Sequence, residues 1–283
     1  MDTTVSSQTK EVIISYERPT VIIGERINPT GRKKLTAALK EGNLDIIKTE
    51  ALKQVEAGAA ILDCNVNAQG VDDVKLLPEA VKIIMDGVDT PICIDSPNPD
   101  ALEAALKVYK GKALVNSVSG ETHSLERVLP LIKEYGAAVI GLAQDDEGIP
   151  KTAEKRVAAA YKICEAADKI GIPREDIVID VMTYAIGAEA KAGKDVLMAL
   201  HQIREELGLN MTMGASNISF GMPDRPVLNS AWIAMVIEAG GTALIADAAK
   251  VMPAVLSADL VMGRDRFARR YLEGHRKREQ AEG

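Results

Sequence analysis

Eight short apolar runs each stop on a small polar cluster, and that pattern limits the fold more than any other feature of the chain. The runs cover residues 21–24, 60–62, 91–94, 113–115, 137–143, 177–179, 211–215 and 243–246. In order, the residues that follow are Glu25-Arg26-Ile27-Asn28, Asp63-Cys64-Asn65, Asp95-Ser96, Asn116-Ser117, Gln144-Asp145-Asp146, Asp180, Ser216-Asn217 and Asp247. Strands of a parallel sheet read as continuous apolar runs because both of their faces are covered. Stretches of helical periodicity separate them, as at 44–57, where Ile46, Ile47, Ala51, Leu52 and Val55 fall close to a 3.6-residue repeat.

Further helices are predicted at 71–85, 99–109, 124–135, 152–170, 194–207, 226–239 and 253–262. Gly58, Gly136, Gly171 and Gly208 provide stops. Asn98 before Pro99 reads as an N-cap, and Ser124 is expected to cap the next helix. Alternating strands and helices require parallel strands with crossover helices. A doubly wound sheet shares that order, but the count of eight with polar strand ends favours a single (β/α)8 TIM barrel. Such a barrel needs about 250 residues, close to the 283 present. The expected organisation is an N-terminal extension at 1–20, the barrel at 21–263, and a charged C-terminal helix or tail at 264–283 that frays into solvent.

Composition removes several classes of function. A net charge of -7 argues against nucleic acid and acidic membrane surfaces as partners, and 3% aromatic content leaves little for base stacking. No apolar stretch has the length of a membrane span, and residues 1–10 lack the apolar core of a signal peptide. Cys64, Cys93 and Cys164, odd in number and widely spaced, suit a reducing cytoplasm.

The strand ends exclude chemistry too. His123, His201 and His275 lie in or beside predicted helices, so no metal-hydrolase ligand set is expected and no bound metal. No predicted strand carries a Schiff-base lysine. A pair of facing glycosidase carboxylates is not evident, because the fourth and seventh strands end in amides and hydroxyls. What remains suits a flat neutral heterocycle. An ionised Asp accepts parallel N–H bonds from an amino-pyrimidinone edge, and an Asn offers one donor and one acceptor.

Five segments resemble the pterin-binding methyltransferases: Ile23-Gly24-Glu25-Arg26-Ile27-Asn28, Leu62-Asp63-Cys64-Asn65, Cys93-Ile94-Asp95-Ser96, Val115-Asn116-Ser117, and Gly214-Ala215-Ser216-Asn217-Ile218-Ser219-Phe220-Gly221. Gly148-Ile149-Pro150-Lys151 and Asp224-Arg225-Pro226 look like the branch acting with corrinoid proteins. The resemblance implies a dihydropteroate-synthase-like barrel that moves a methyl group between N5 of tetrahydrofolate and a corrinoid (cobalamin). Asp95, Asn116 and Asp180 match the residues that hold the pterin edge, and Asn217 matches the catalytic asparagine near N5. Asp63, Asn65, Ser219 and Arg225 match supporting positions, with Glu25 and Asn28 at the pocket floor.

The chain lacks an Asp-x-His-x-x-Gly segment. The resemblance therefore implies a corrinoid carried by a separate protein, tetrahydrofolate or 5-methyltetrahydrofolate as substrate, and a homodimer. Two alternatives stand beside it. A dihydropteroate synthase would need Mg²⁺ and a basic anion site, for which Arg26, Lys151 and Arg225 are the candidates. A non-catalytic folate-binding subunit would keep the edge readers and lose transfer.

Overall fold

The computed structural model describes residues 1–282 and opens with an antiparallel hairpin, β1 (Thr3–Ser6) and β2 (Glu11–Ile14). Eight parallel strands follow: β3 (Val21–Ile27), β4 (Ile61–Asn65), β5 (Ile92–Asp95), β6 (Leu114–Ser119), β7 (Ala138–Leu142), β8 (Ile177–Asp180), β9 (Asn210–Thr212) and β10 (Ala243–Ala246). They pair in chain order from β3 to β9, with β10 against β3. The remaining seam is sealed by backbone bonds: Thr242 N–H to the Met211 carbonyl at 3.0 Å, Ile245 N–H to Met213 at 2.9 Å and Ala215 N–H to Ile245 at 3.0 Å. The sheet is thus a barrel.

Around it run α1 (Lys33–Lys40), α2 (Asp45–Glu56), α3 (Asp73–Gly87), α4 (Pro99–Leu106), α5 (Thr122–Tyr135), α6 (Ala153–Lys169), α7 (Ala192–Leu207), α8 (Arg225–Ala239) and α9 (Ala248–Val261), before a terminal α10 (Arg269–Glu282). Among the described residues no helix is long and apolar enough to cross a membrane.

Strand alternation divides the core in two. Val21, Ile23, Ile61, Cys93, Leu114, Ala138, Ile140, Val178 and Ala243 point inward and pack together. Their neighbours Ile22, Leu62, Ile92, Ile94, Val115, Val139, Ile177 and Ile179 point outward under the helices. The N-terminal hairpin closes the lower end, since Val5 and Ile14 are 0% exposed and join the inner cluster. Asn210 pins it from β9, its Nδ2 donating to Thr3 Oγ1 at 2.9 Å and to the Ile14 carbonyl at 2.9 Å.

Local signals behave as the sequence indicates at several helix ends. Asn98 accepts from Asp100 N–H at 3.1 Å, and Gly136 and Gly208 take the left-handed conformation after α5 and α7. Three expectations need correction. Ser124 lies inside α5, which starts after Glu121, and its hydroxyl instead accepts the Ser119 N–H at 2.9 Å. Pro253 does not open the eighth barrel helix, because α9 begins at Ala248 with Ala248 and Val251 already buried. The charged terminus is docked rather than fraying: Arg270 NH1 reaches Asp259 Oδ2 at 3.0 Å, and that carboxylate, 0% exposed, also accepts Thr20 N–H at 2.9 Å.

Replacing Asn210 by Ala leaves the hairpin's buried acceptors without their donor. Urea denaturation is expected to show a loss of about 1–3 kcal/mol, and an unchanged midpoint would show that the hairpin is not held this way.

Candidate active site at the barrel mouth

The inward row that is apolar at the bottom turns polar at the top. Continuing the alternation on each strand brings Glu25, Asp63 and Asn65, Asp95, Asn116, Asp180 and Asp247 to the upper interior. Asn65, Asp95 and Asn116 stand level on three adjacent strands. Asn65 Nδ2 donates to Asp95 Oδ2 at 2.9 Å, and Asn116 Nδ2 reaches Asp63 Oδ1 at 3.4 Å. On β8, Asp180 Oδ1 accepts Met182 N–H at 2.7 Å.

Burial is the leading electrostatic fact. Asp63 is 2% exposed, and its carboxyl is pushed well above the ordinary range by burial and then by the neighbouring Asp95 charge. Burial raises Asp95 to about 6, against the Asn65 hydrogen bond, and Asp180 to about 7, against the Met182 N–H bond. Glu25 is raised by burial and by Asp247. The mouth is therefore a set of acids that hold protons more tightly than in water. A ligand presenting N–H groups there favours their ionised form.

Asn217 is delivered differently. It begins a single 3-10 turn (Asn217–Ser219) beyond β9 and folds back over Gly214, where an added Cβ would lie 2.7 Å from Asn217 Nδ2. A larger residue at 214 would push the Asn217 amide out of this position. The turn is braced from α8: Arg225 Nε donates to Ser219 Oγ at 3.0 Å, and Arg225 NH2 to the Ser216 carbonyl at 3.0 Å. Ile186 N–H, from the loop after β8, donates to the Ile218 carbonyl at 2.9 Å. The Asn217 side chain is exposed, and its amide has no hydrogen-bond partner among the described residues.

Other sequence-derived candidates fall outside this ring. Asn28 caps its own loop, accepting Thr30 N–H at 3.0 Å. Arg26 lies 3.7 Å from both Glu50 and Asp247, while its N–H donates to Gln54 Oε1 at 2.8 Å. Of the three basic candidates for an anion site, Arg26 and Arg225 are thus engaged, and Lys151 is 74% exposed, 3.9 Å from Glu189. A cavity of about 310 Å³ opens beside β5, β6 and β7, with Asp95, Asn116, Ser117, His123 and Gln144 among its walls. Sequence reasoning set His123 aside as helical. It does lie in α5, but in the first turn, which faces the mouth. Asp247 was visible as a strand end, but its pairing with Glu25 and Arg26 was not.

The architecture defines a class: closed parallel barrels that gather carboxylates and amides at the strand ends. Residues 24–247 match the pterin binding enzyme family, and the chain belongs to it. It is 31% identical over 265 residues to a methylcorrinoid:tetrahydrofolate methyltransferase of Eubacterium limosum, covering 91% of this chain and 96% of the relative. It is 30% identical over 262 residues to methionine synthase of Mycobacterium tuberculosis, covering 88% of this chain and 22% of that longer protein. Among solved structures, 7,8-dihydropteroate synthase of Vibrio fischeri superposes with a TM-score of 0.70 at 18% identity, over 92% of this chain and 98% of the other. That likeness shares the barrel fold alone.

Raised acids also affect stability. Unfolded, Asp180 titrates near ~4, but native it holds its proton up to about 7. The native state therefore binds the extra proton between those values, and stability falls as pH rises through that window. The free protein is expected to melt at a lower temperature at pH 7.5 than at pH 5.5, and Asp180→Asn is expected to flatten that slope. Parallel slopes in the two proteins would show that Asp180 is not the group responsible.

Proposed function

We infer that this protein is a methyltransferase that moves a methyl group between N5 of tetrahydrofolate and the cobalt of a corrinoid held by a separate protein. The observation that carries this reading is the placement of Asp95, Asn116 and Asp180 at inward upper positions of β5, β6 and β8, with the unpartnered Asn217 amide on a braced turn beyond β9. The likeness to the methylcorrinoid:tetrahydrofolate methyltransferase, which runs nearly end to end in both chains, supports it. A dihydropteroate synthase reading is disfavoured by the engagement of Arg26 and Arg225 in ion pairing and turn bracing.

In this reading Asp95, Asn116 and Asp180 orient the pterin through its amino-pyrimidinone edge. When the N5–CH3 bond breaks, the electron pair stays on N5, and an amine of that kind leaves only with a proton or a strong hydrogen bond. The Asn217 amide donates to N5 as that charge develops, and a proton from solvent completes the N5–H of tetrahydrofolate; in the reverse direction that proton returns to solvent as the methyl group arrives. Asp63 and Asn65 hold Asn116 and Asp95, and Ser219 and Arg225 hold the Asn217 turn. The corrinoid, when its carrier docks, supplies the metal that gives or takes the methyl group. Both directions share one transition state, so the same residues serve either.

The three cysteines are free and buried, which fits a reducing cytoplasm. We also assign the outer face of α7, α8 and α9 to self-association into a homodimer. It carries an apolar groove lined by Leu197, Ala234, Met235, Pro253 and Val261, with Met235 50% and Val261 85% exposed.

Anaerobic mixing with methylcobalamin and tetrahydrofolate, and with cob(I)alamin and methyltetrahydrofolate, is expected to show methyl exchange in the cobalt absorbance. Asn217→Ala is expected to lower that rate by roughly 10²–10³-fold, the usual cost of one preorganised donor, with little change in melting temperature. Folate binding without exchange, even when a corrinoid protein is supplied, would instead identify a binding subunit. A wild-type rate in the variant would remove Asn217 from the chemistry.

A further inference from the structure

Arg156 heads the largest side chains that are fully buried, at 0% exposure. It sits on α6 among Ala153, Val157, Ala160 and Ile163, a face otherwise built for core packing. Burying a guanidinium is costly unless its bonds repay the lost hydration. Its hydrogen bond is specific, Nε donating to the Val181 carbonyl at 2.9 Å, while NH1 and NH2 are buried with no hydrogen-bond partner among the described residues. Burial acts against its charge, and Asp195 and Tyr184 act in favour of it.

Val181 is the residue between Asp180 and Met182. Met182 has a φ of 53°, in the left-handed region that a residue with a side chain seldom occupies. Such strain persists only where the surroundings over-determine it. Here two hydrogen bonds do so. Met182 N–H donates to Asp180 Oδ1 at 2.7 Å, and Arg156 holds the carbonyl one residue earlier. Further along, Tyr184 OH donates to the Ile149 carbonyl at 2.8 Å, and Ile186 N–H donates to Ile218, inside the Asn217 turn, at 2.9 Å. The loop from Val181 thus runs from the Asp180 carboxylate to the turn bearing Asn217, and its root is tied to α6 by one buried arginine.

We propose that Arg156 is a positioning residue for ligand binding: by holding the Val181 carbonyl it fixes the strained turn that spends Oδ1 of Asp180 on Met182 and presents Oδ2 to the ligand. The inference rests on the reading that Asp180 grips the pterin. It also explains the choice of side chain. An apolar side chain such as leucine or methionine would avoid the buried charge, but neither donates a hydrogen bond at that depth.

The test measures tetrahydrofolate Kd and melting temperature for the wild type and for Asp180→Asn, Arg156→Met, Arg156→Gln and the Asp180→Asn/Arg156→Met double variant. Methionine reaches as far as Nε and removes the donor together with the guanidinium head. Glutamine places an N–H the same number of bonds from the backbone as Arg Nε. Arg156→Met is expected to weaken binding about tenfold or more, as for a lost charge-assisted bond, while Arg156→Gln, which keeps a donor at that depth, is expected to stay within about threefold of wild type.

The double variant is expected to lose less than the sum of the two single losses, because Arg156 acts through Asp180. Additive losses, or an Arg156→Met protein that melts earlier yet binds with wild-type affinity, would make the arginine merely structural and overturn the inference. Should the methionine variant fail to fold, a folded Arg156→Gln protein that has lost tenfold in affinity overturns it equally. Asp180→Asn binding as tightly as wild type would overturn the reading of the site, and this inference with it. A weakened Asp180→Asn beside an unchanged Arg156→Met overturns this inference alone.

Discussion

Closing eight parallel strands on themselves forces every second side chain into a narrow interior, and whatever lies there must either pack or be paired. At the lower levels Ile23, Ile61, Leu114, Ile140 and Val178 pack, sealed beneath by Val5 and Ile14 of the hairpin. One level up, the same alternation delivers Asp63, Asp95, Asn116 and Asp180 to a space too dry for free carboxylates. Their amide partners satisfy only part of what they have lost from water. The mouth is thus held in a state that a ligand rich in N–H donors improves. Clusters of perturbed groups of this kind mark functional sites more often than structural ones.

That tension explains how much of the surrounding structure is brace rather than contact. Gly24 leaves room for Gln54, whose Oε1 would lie 2.4 Å from an added Cβ and which satisfies the Arg26 N–H where β3 breaks register. Arg225 fixes the Asn217 turn, and Arg156 fixes the root of the loop beside Asp180. The hairpin and the docked α10 make the opposite end and flank rigid, the latter through the shared Asp259 carboxylate. A site that must place a reacting atom to within a fraction of an ångström needs this second layer.

Much of this was legible in the chain. The apolar runs identified all eight barrel strands, and polar residues at their ends located the mouth, because both signals follow from alternation within a buried sheet. The resemblance singled out Asp95, Asn116, Asp180 and Asn217 among the polar strand ends as the residues proposed to hold the ligand. What escaped was long-range. Nothing local marks residues 3–14 as a barrel plug, since β1 and β2 are short and gain their burial from strands far along the chain. Arg156 reads as an ordinary surface charge on α6 until the Val181 carbonyl is placed beside it. Asn28 lies among the right motifs, but its side chain turns to its own loop, a choice made by local hydrogen bonding that spacing does not reveal.

In the proposed function the mouth carboxylates ionise on gripping a pterin. Calorimetric titration of the free protein with tetrahydrofolate at pH 6.5, in buffers of different ionisation enthalpy, reads the protons exchanged on binding. Asp95 near 6 and Asp180 near 7 in the free protein require a net release of protons to the buffer, reduced in Asp180→Asn. Tight binding with no release, or with uptake, would contradict the account.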